Sequence, residues 1–322
     1  MKRFYQLICT AIATGCLGVA PATAQSDKSV QLVSLNNSTD ISNIVNSYEE
    51  SLSCQVSALK LTPESSDRAS VLVRKGIALQ KLKKYRESIV CLDRALSLQP
   101  QLDKAWYRRG IAFSRLENYS QALFAYHQAL QLNPNDYTTW YNQALTLEKL
   151  GIYNKAISAY EEALNLNPEL YLAWYNRGKI LTRLGRYEKA AVAYQKAIEI
   201  EPDYSLAWYS KAYSLEQQGK LEEALSTYRK LLQIDNQQYR AWYNQGNIYF
   251  DLQQYEAALS AYQKAIAINP DYQRAWNNQG ATLEKLDRNR QALESYTHAL
   301  KIDSSYQKAL NNRYRLLKVL HP

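Results

Sequence analysis

Few side chains of this 322-residue chain have the types and spacing that catalysis or metal binding requires. Its three histidines lie far apart in sequence and form neither an HExxH motif nor a cluster with cysteine. Adjacent carboxylates occur, as at Glu161 and Glu162, but on positions where a helix would meet solvent, so they do not indicate a general acid–base pair. We therefore expect no catalytic residue, no metal site, no cofactor and no enzymatic activity.

Two of the four cysteines, Cys9 and Cys16, lie in the first 24 residues, and the rest of the chain contains one further pair. Cys54 and Cys91 occupy the same position of two segments that align without a gap. An even number of cysteines in an oxidising compartment favours a disulfide. However, equivalent points of stacked helical units lie about 10 Å apart, too far for a bridge without backbone movement. The two residues are therefore either bridged or two small hydrophobic side chains, and the sequence leaves both interpretations open.

The N-terminus has the pattern of an export signal. Lys2 and Arg3 precede a mostly apolar stretch, and a small-x-small motif ends at Ala24. Residues 1–24 therefore predict a cleaved signal peptide and a periplasmic, lumenal or secreted protein. In the alternative, the tetrapeptide that ends at Cys16 resembles a bacterial lipobox, and lipidation of Cys16 would anchor the protein to a membrane.

A period of 34 residues organises the rest of the chain. This interval separates each of the six tryptophans from the next, which is the mark of a stacked-repeat architecture. If each unit begins three residues before its tryptophan, seven units fill residues 69–306. The tryptophans stand at position 4 of units two to seven: Trp106, Trp140, Trp174, Trp208, Trp242 and Trp276.

Each unit carries two amphipathic stripes with helical spacing. Positions 4, 8 and 11 are Trp174, Gly178 and Leu181 in unit four, and they fall on one face of a first helix. Positions 20, 24 and 27 form the stripe of a second helix, in which position 24 is tyrosine in six units. A glycine inside a helix costs about 1 kcal/mol relative to alanine, so glycine at position 8 indicates close approach of a neighbouring helix. Proline at position 32 ends the second helix in five units.

These residues closely resemble the tetratricopeptide repeat, which has this same set of tryptophan, small, aromatic and proline positions. The resemblance implies an all-α, right-handed superhelical solenoid of antiparallel helix pairs, whose first helices line a concave groove for a peptide or protein partner. Unit five departs most, with Leu231 and Asn236, which predicts a local difference where it stacks on unit six. The predicted segments are a flexible lead-in at 25–38, a degenerate repeat at 39–68, units at 69–102, 103–136, 137–170, 171–204, 205–238, 239–272 and 273–306, and a capping helix at 307–322.

By this resemblance, the first-helix positions opposite the tryptophan line the groove. In units one to four they carry eight basic residues against the single acid Glu148, whereas the later units carry equal numbers of acids and bases there. A row of tyrosines at position 5 accompanies the charge. The predicted groove residues are Arg74, Lys81, Lys104, Tyr107, Arg108, Arg115, Tyr141, Lys149, Tyr175, Lys179, Arg183, Tyr209 and Tyr243.

Together, the export signal and the groove predict an exported, non-enzymatic scaffold that binds a peptide or protein partner, with a bias toward acidic partners. Two alternatives remain open: a lipid-anchored envelope-assembly factor, and a binder of an anionic cell-surface polymer. Without its signal peptide the chain has a net charge of +7, since Lys2 and Arg3 are removed from the full-length +9. We do not expect nucleic acid as a partner, because an exported protein rarely meets it. No oligomeric state is indicated.

Overall fold

Helices account for all regular structure in residues 65–320, the part of the chain that the computed structural model describes, with side chains from residue 68 onward. These residues belong to the second of two compact units, Leu52–Pro322. Outside the described residues lie the predicted signal peptide 1–24, the lead-in 25–38 and most of the degenerate repeat 39–68, together with Cys16 and Cys54.

The helices alternate as first and second members of successive units, and α1 begins at Ser65 rather than at Ala69. A last helix, α15, follows the seventh unit. The bounds are α1 Ser65–Lys81, α2 Tyr85–Leu98, α3 Asp103–Arg115, α4 Tyr119–Leu132, α5 Tyr137–Lys149, α6 Tyr153–Leu166, α7 Tyr171–Arg183, α8 Tyr187–Ile200, α9 Ser205–Gln217, α10 Leu221–Ile234, α11 Tyr239–Asp251, α12 Tyr255–Ile268, α13 Gln273–Lys285, α14 Asn289–Ile302 and α15 Gln307–Leu320.

A left-handed residue joins the two helices of every unit. Three units place glycine there, with φ between 70° and 75°, and the others place a non-glycine residue with φ between 58° and 60°. This conformation brings the Cβ of an L-residue close to the following carbonyl, at a cost of roughly 1–2 kcal/mol. The left-handed turn is therefore common to all seven units, and glycine only lowers the conformational free energy that the turn costs. The seven residues are Lys83, Glu117, Gly151, Gly185, Gly219, Gln253 and Asp287.

The tyrosines at position 24 form the centre of the core. Their side chains are 0–1 % exposed, and in the four of these units that have glycine at position 8 the ring lies against that glycine. A Cβ atom on Gly178 would lie 2.7 Å from a ring carbon of Tyr194, and one on Gly110 would lie 2.5 Å from Tyr126. Glycine at position 8 therefore makes room for the tyrosine ring of the second helix. These tyrosines are Tyr126, Tyr160, Tyr194, Tyr228, Tyr262 and Tyr296.

The tryptophans join each unit to the one before it, and all six are half-buried. Each indole nitrogen donates to the backbone carbonyl at position 32 of the preceding unit, over 2.7–3.0 Å. Trp242 keeps this bond to Asn236, at 3.0 Å, although proline is missing there. The expected difference between units five and six therefore does not affect this connection.

First helices of successive units contact each other, as α3 does with α5 and α11 with α13, and they approach more closely than second helices do. Because elements converge on the inner side of a curved stack, the first helices line the inner face. At the C-terminal end, α15 packs on α14 and buries Ala309 and Leu316. The predicted all-α helical-repeat superhelix is thus confirmed.

Cys91 is fully buried in α2 and is disulfide-bonded. Within the described residues it is the only cysteine, and Cys54 lies outside them. The pairing of Cys91 with Cys54 therefore stays a prediction.

Candidate partner-binding groove

The eight predicted basic residues lie on the first helices of units one to four. Seven have exposed side chains, and Arg108 is half-buried. The guanidinium of Arg108 lies over the Tyr107 ring at 5.4 Å from its centroid. That of Arg183 lies over the Tyr153 ring at 5.1 Å, so it extends toward the turn side of unit three. The charges therefore form a dispersed, solvent-facing band rather than one cluster.

Glu148, the only acid predicted in this part of the groove, is already engaged. Its carboxylate pairs with the Lys179 ammonium at 2.8 Å and accepts from the Tyr160 hydroxyl at 3.2 Å. Only 17 % of its side chain is exposed, whereas 49 % of the Lys179 side chain is exposed. The pair is neutral, so the net excess of seven positive charges on this face is carried by the other seven basic residues.

The tyrosines at position 5 are half-buried, and their main contacts are within the protein. Each ring packs on the buried position-24 tyrosine of its own unit, with centroids 5.8–6.3 Å apart. Four of the hydroxyls accept a hydrogen bond from the position-6 asparagine of the next unit. These bonds, here called the Tyr–Asn rungs, join Asn142 to Tyr107, Asn176 to Tyr141, Asn244 to Tyr209 and Asn278 to Tyr243, over 3.1–3.3 Å.

One rung is missing in the middle of the array. Ser210 stands where the asparagine should meet Tyr175, and no hydrogen bond joins these two side chains in the described structure. At the C-terminal end an amide pair replaces the rung, because Asn312 of α15 donates to Asn277 at 3.1 Å. The main role of the predicted tyrosine row is therefore to connect successive units. Only the exposed edges of its rings can contact a partner.

Two further tyrosines enlarge this face, and the sequence analysis missed them. Tyr204 packs edge-to-face on Tyr175, and Tyr272 does the same on Tyr243, both with ring centroids 5.0 Å apart. Burial raises the pKa of Tyr204 to about 12 and likewise that of Tyr272. The sequence signal that could have identified them is tyrosine at position 34, just before the first helix of the next unit. It recurs in only three units, so the 34-residue pattern does not emphasise it.

Two of the three acids on the first helices of the later units are held by the protein itself. Glu284 pairs with Arg315 of the capping helix at 2.9 Å and also accepts from the Tyr296 hydroxyl. Glu216 accepts from the Tyr228 hydroxyl at 3.3 Å, and burial raises the pKa of this carboxyl. This half of the face therefore offers no basic excess, and only Asp251 of its three acids is exposed.

Neither a metal centre nor a membrane span is found between residues 65 and 320. No three His, Cys, Asp or Glu side chains are grouped so that they could hold a metal ion in this range. No described helix has the length and apolar character needed to cross a bilayer.

Family models of the tetratricopeptide repeat match the chain without a break from residue 69 to residue 294. A model described as "Tetratricopeptide repeat" matches 103–136, 137–170, 171–204 and 239–272, and two others with that description match 69–102, 193–226 and 261–294. A model described as "TPR repeat" matches 212–251. Comparison with curated proteins found no match.

Solved structures of the same kind superpose on the chain. YrrB, described as a TPR protein with an unusual peptide-binding site, is 26 % identical and has a TM-score of 0.53, covering 57 % of this chain and 95 % of its own. The C-terminal part of a TPR repeat-containing protein from Cytophaga hutchinsonii is 16 % identical with a TM-score of 0.66, covering 74 % and 98 %. A tetratricopeptide repeat protein from Parabacteroides merdae is 18 % identical with a TM-score of 0.53, covering 78 % and 99 %. Because the matched models run through six complete units and into the seventh, this chain belongs to the tetratricopeptide repeat family.

Proposed function

We propose that this protein is an exported, non-catalytic interaction scaffold that binds an acidic segment of a partner protein along the inner face of units one to four. The observation that carries the proposal is the band of basic side chains, most of them exposed, on α1, α3, α5 and α7. The one acid among them, Glu148, forms a salt bridge with Lys179. YrrB, which is similar in fold, has a peptide-binding site.

The charge band and the tyrosine edges would act differently on such a partner. Exposed lysine and arginine side chains accelerate the approach of an acidic segment more than they add to its final affinity. Tyrosine rings provide contact area at low conformational cost, and the rungs hold them in place. An extended acidic peptide therefore fits this face better than a neutral one.

The groove proposal is tested by reversing two exposed charges, Lys104→Glu and Lys149→Glu, in one protein. We expect binding of a glutamate-rich peptide to weaken about tenfold or more, which is about 1.4 kcal/mol, and its salt dependence to flatten. Isothermal titration at low and high salt measures both effects, and a glutamine-rich peptide of equal length provides the neutral probe.

Matched positions supply the control for this experiment. Arg274 and Lys285 occupy the same two repeat positions, 2 and 13, in unit seven, which belongs to the half of the array where acids and bases are equal in number. Reversing this second pair should leave peptide binding nearly unchanged. If both double variants lose the same affinity, the basic band is an ordinary solvated surface and the groove proposal fails. Binding of an anionic polysaccharide with no peptide dependence would instead favour the polymer-binding alternative.

Export is a separate part of the proposal. A signal peptide cleaved after Ala24 predicts that the exported protein begins at Gln25 and carries no lipid. Intact-mass measurement of the exported form decides this point. A mass that corresponds to a lipid-modified N-terminal Cys16 would replace this proposal with the lipid-anchored envelope-assembly factor.

A further inference from the structure

A polar contact recurs at the junctions between units, on the side of the first helix that faces away from the groove. Position 7 of one unit reaches position 25 of the preceding unit, 16 residues earlier. At three junctions a cationic side chain at position 7 donates to an acceptor at position 25, each over 2.6 Å: Arg109 to Asp93, Arg177 to Glu161 and Lys211 to Gln195.

The junction of units five and six reverses this arrangement. Position 25 is there the cation Arg229, and position 7 is Gln245. Gln245 is only 2 % exposed, and its side-chain amide nitrogen has no hydrogen-bond partner within the described structure. Arg229 donates instead to the Tyr249 hydroxyl at 2.9 Å. Among the described residues, Arg109 and Arg177 also leave one buried nitrogen each unpaired, but each still donates to an acid across its junction, whereas the Gln245 amide nitrogen donates to nothing. A buried donor left unpaired is costly, so an acceptor is missing at this junction.

A cavity of about 400 Å³ opens at the same place, between α10, α11 and α12. Gln245 and Arg229 line it, and so does Lys264, whose ammonium lies 4.2 Å from the centroid of the Trp242 ring. None of the residues that line this cavity is acidic. Its volume lies within the range of small-ligand sites, about 300–1,000 Å³. The cavity thus combines two cations and an unpaired amide donor with an aromatic wall.

We infer that this cavity binds a carboxylate group, which supplies the acceptor that Asp93 and Glu161 supply at other junctions. One carboxylate oxygen accepts from the Gln245 amide, after a small rotation of that side chain, and the other faces Arg229 and Lys264. Charge-assisted bonds of this kind are the strong ones. The carboxylate comes either from an acidic side chain of a bound polypeptide or from a small free carboxylic acid. This site lies away from the groove and is independent of the function proposed for it.

A second cavity, lined by the same repeat positions at another junction, serves as an internal control. Between units two and three a cavity of about 720 Å³ is lined by Gln143 at position 7 and by Glu162 at position 26, where unit six has Lys264. Lys155 also lines this cavity, so it has one cation and one acid, whereas the five–six cavity has two cations and no acid. The acid repels a second carboxylate. We therefore expect carboxylate binding at the five–six cavity and none at the two–three cavity.

The test follows the side-chain amide resonances of Gln245 and Gln143 in the nitrogen-labelled mature protein, each assigned from its loss in a Gln→Leu variant. The probes are acetyl-glycyl-glutamyl-glycinamide, its glutaminyl analogue and glutarate. The Gln245 resonance should shift with the glutamyl peptide or with glutarate, and the Gln143 resonance should not. A shift at lower concentration for the peptide identifies a polypeptide source, and the reverse identifies a free acid. No shift with either, or an equal shift with the glutaminyl peptide, overturns the inference.

One substitution separates a ligand site from a merely structural defect. Arg229→Glu places at position 25 the acid that other junctions already have, so it should pair with Gln245 internally. We expect a higher melting temperature together with at least a tenfold loss of probe binding, while Lys264→Gln should weaken binding without raising the melting temperature. Probe binding retained by both variants overturns the inference. The Lys104→Glu, Lys149→Glu protein should bind the probe as the unmodified protein does, so failure of this site and failure of the groove are distinguishable.

Discussion

Replacing Tyr194 by alanine is expected to destabilise the middle of the array by about 3–5 kcal/mol, the usual cost of removing a large buried aromatic ring. Tyr194 is 1 % exposed, and its ring fills the space left by Gly178 in the paired helix. Alanine would leave a cavity where the ring now packs against Gly178. Because a repeat array is stabilised by neighbouring interfaces, the loss should split thermal unfolding into two transitions.

Two matched substitutions show which part of the side chain matters. Tyr194→Phe keeps the ring but removes the hydroxyl that lies 3.0 Å from the Thr182 hydroxyl, so it should cost about 1 kcal/mol. Tyr314→Ala, at a tyrosine that is 62 % exposed on the capping helix, should change stability by less than about 1 kcal/mol. Denaturant unfolding followed by circular dichroism measures all three. Similar costs for Tyr194→Ala and Tyr314→Ala would contradict the packing described for position 24.

Alkaline pH is expected to unfold the protein cooperatively, and this is the second large effect. Burial raises the pKa of Tyr194 to about 12, and it raises the pKa of the other five position-24 tyrosines as well. Unfolded tyrosines titrate near pH 10. A raised folded-state pKa means that the folded state holds its protons more tightly than the unfolded state. The stabilisation that the protonated tyrosines provide is therefore fully present below about pH 10 and is lost as the pH rises toward the folded-state pKa.

The size of this effect follows from the shift. Two pKa units correspond to about 3 kcal/mol for Tyr194 alone, since one unit is worth about 1.4 kcal/mol. Melting temperature should be flat up to about pH 9 and fall steeply above about pH 10. Surface tyrosines ionise without unfolding, so only the last part of the tyrosinate absorbance, from the buried position-24 hydroxyls, should appear together with the loss of helix. Tyr194→Phe should make the decline less steep, because one titrating group is removed. If tyrosinate absorbance reached its final value while the helices were still intact, the position-24 hydroxyls would be open to solvent.

The 34-residue period was sufficient to predict the helix pairs, because apolar stripes and small residues recur at fixed positions in nearly every unit. It was also sufficient to identify Gly178 as a place of close approach. It did not show which aromatic residue forms the core. Trp174 and Tyr194 both lie on apolar stripes, and only the packing shows that the tyrosine is fully buried while the tryptophan is half-buried with its indole nitrogen bonded to Pro168.

The groove was predicted less completely, for a physical reason. Side chains 35 residues apart, such as Tyr141 and Asn176, meet only because successive units rotate by a particular amount, and a sequence pattern does not contain that rotation. Charge is simpler, since a lysine on the solvent-facing side of a helix remains exposed whatever the rotation. Seven of the eight basic residues are accordingly exposed, whereas the tyrosines are connectors as well as surface. That these residues bind a partner stays a prediction.

The Tyr–Asn rungs lie on only one side of the stack, and this gives the array a direction-dependent flexural stiffness. Straightening the curved stack must stretch a row of hydrogen bonds that runs from unit two to the capping helix, whereas tighter curling does not. The row runs along the inner edge of the stack, and it is interrupted at Ser210, which replaces the asparagine of one rung. This restraint against straightening is therefore absent between units four and five, where the packing of α8 on α9 and the bond from Lys211 to Gln195 still join the two units.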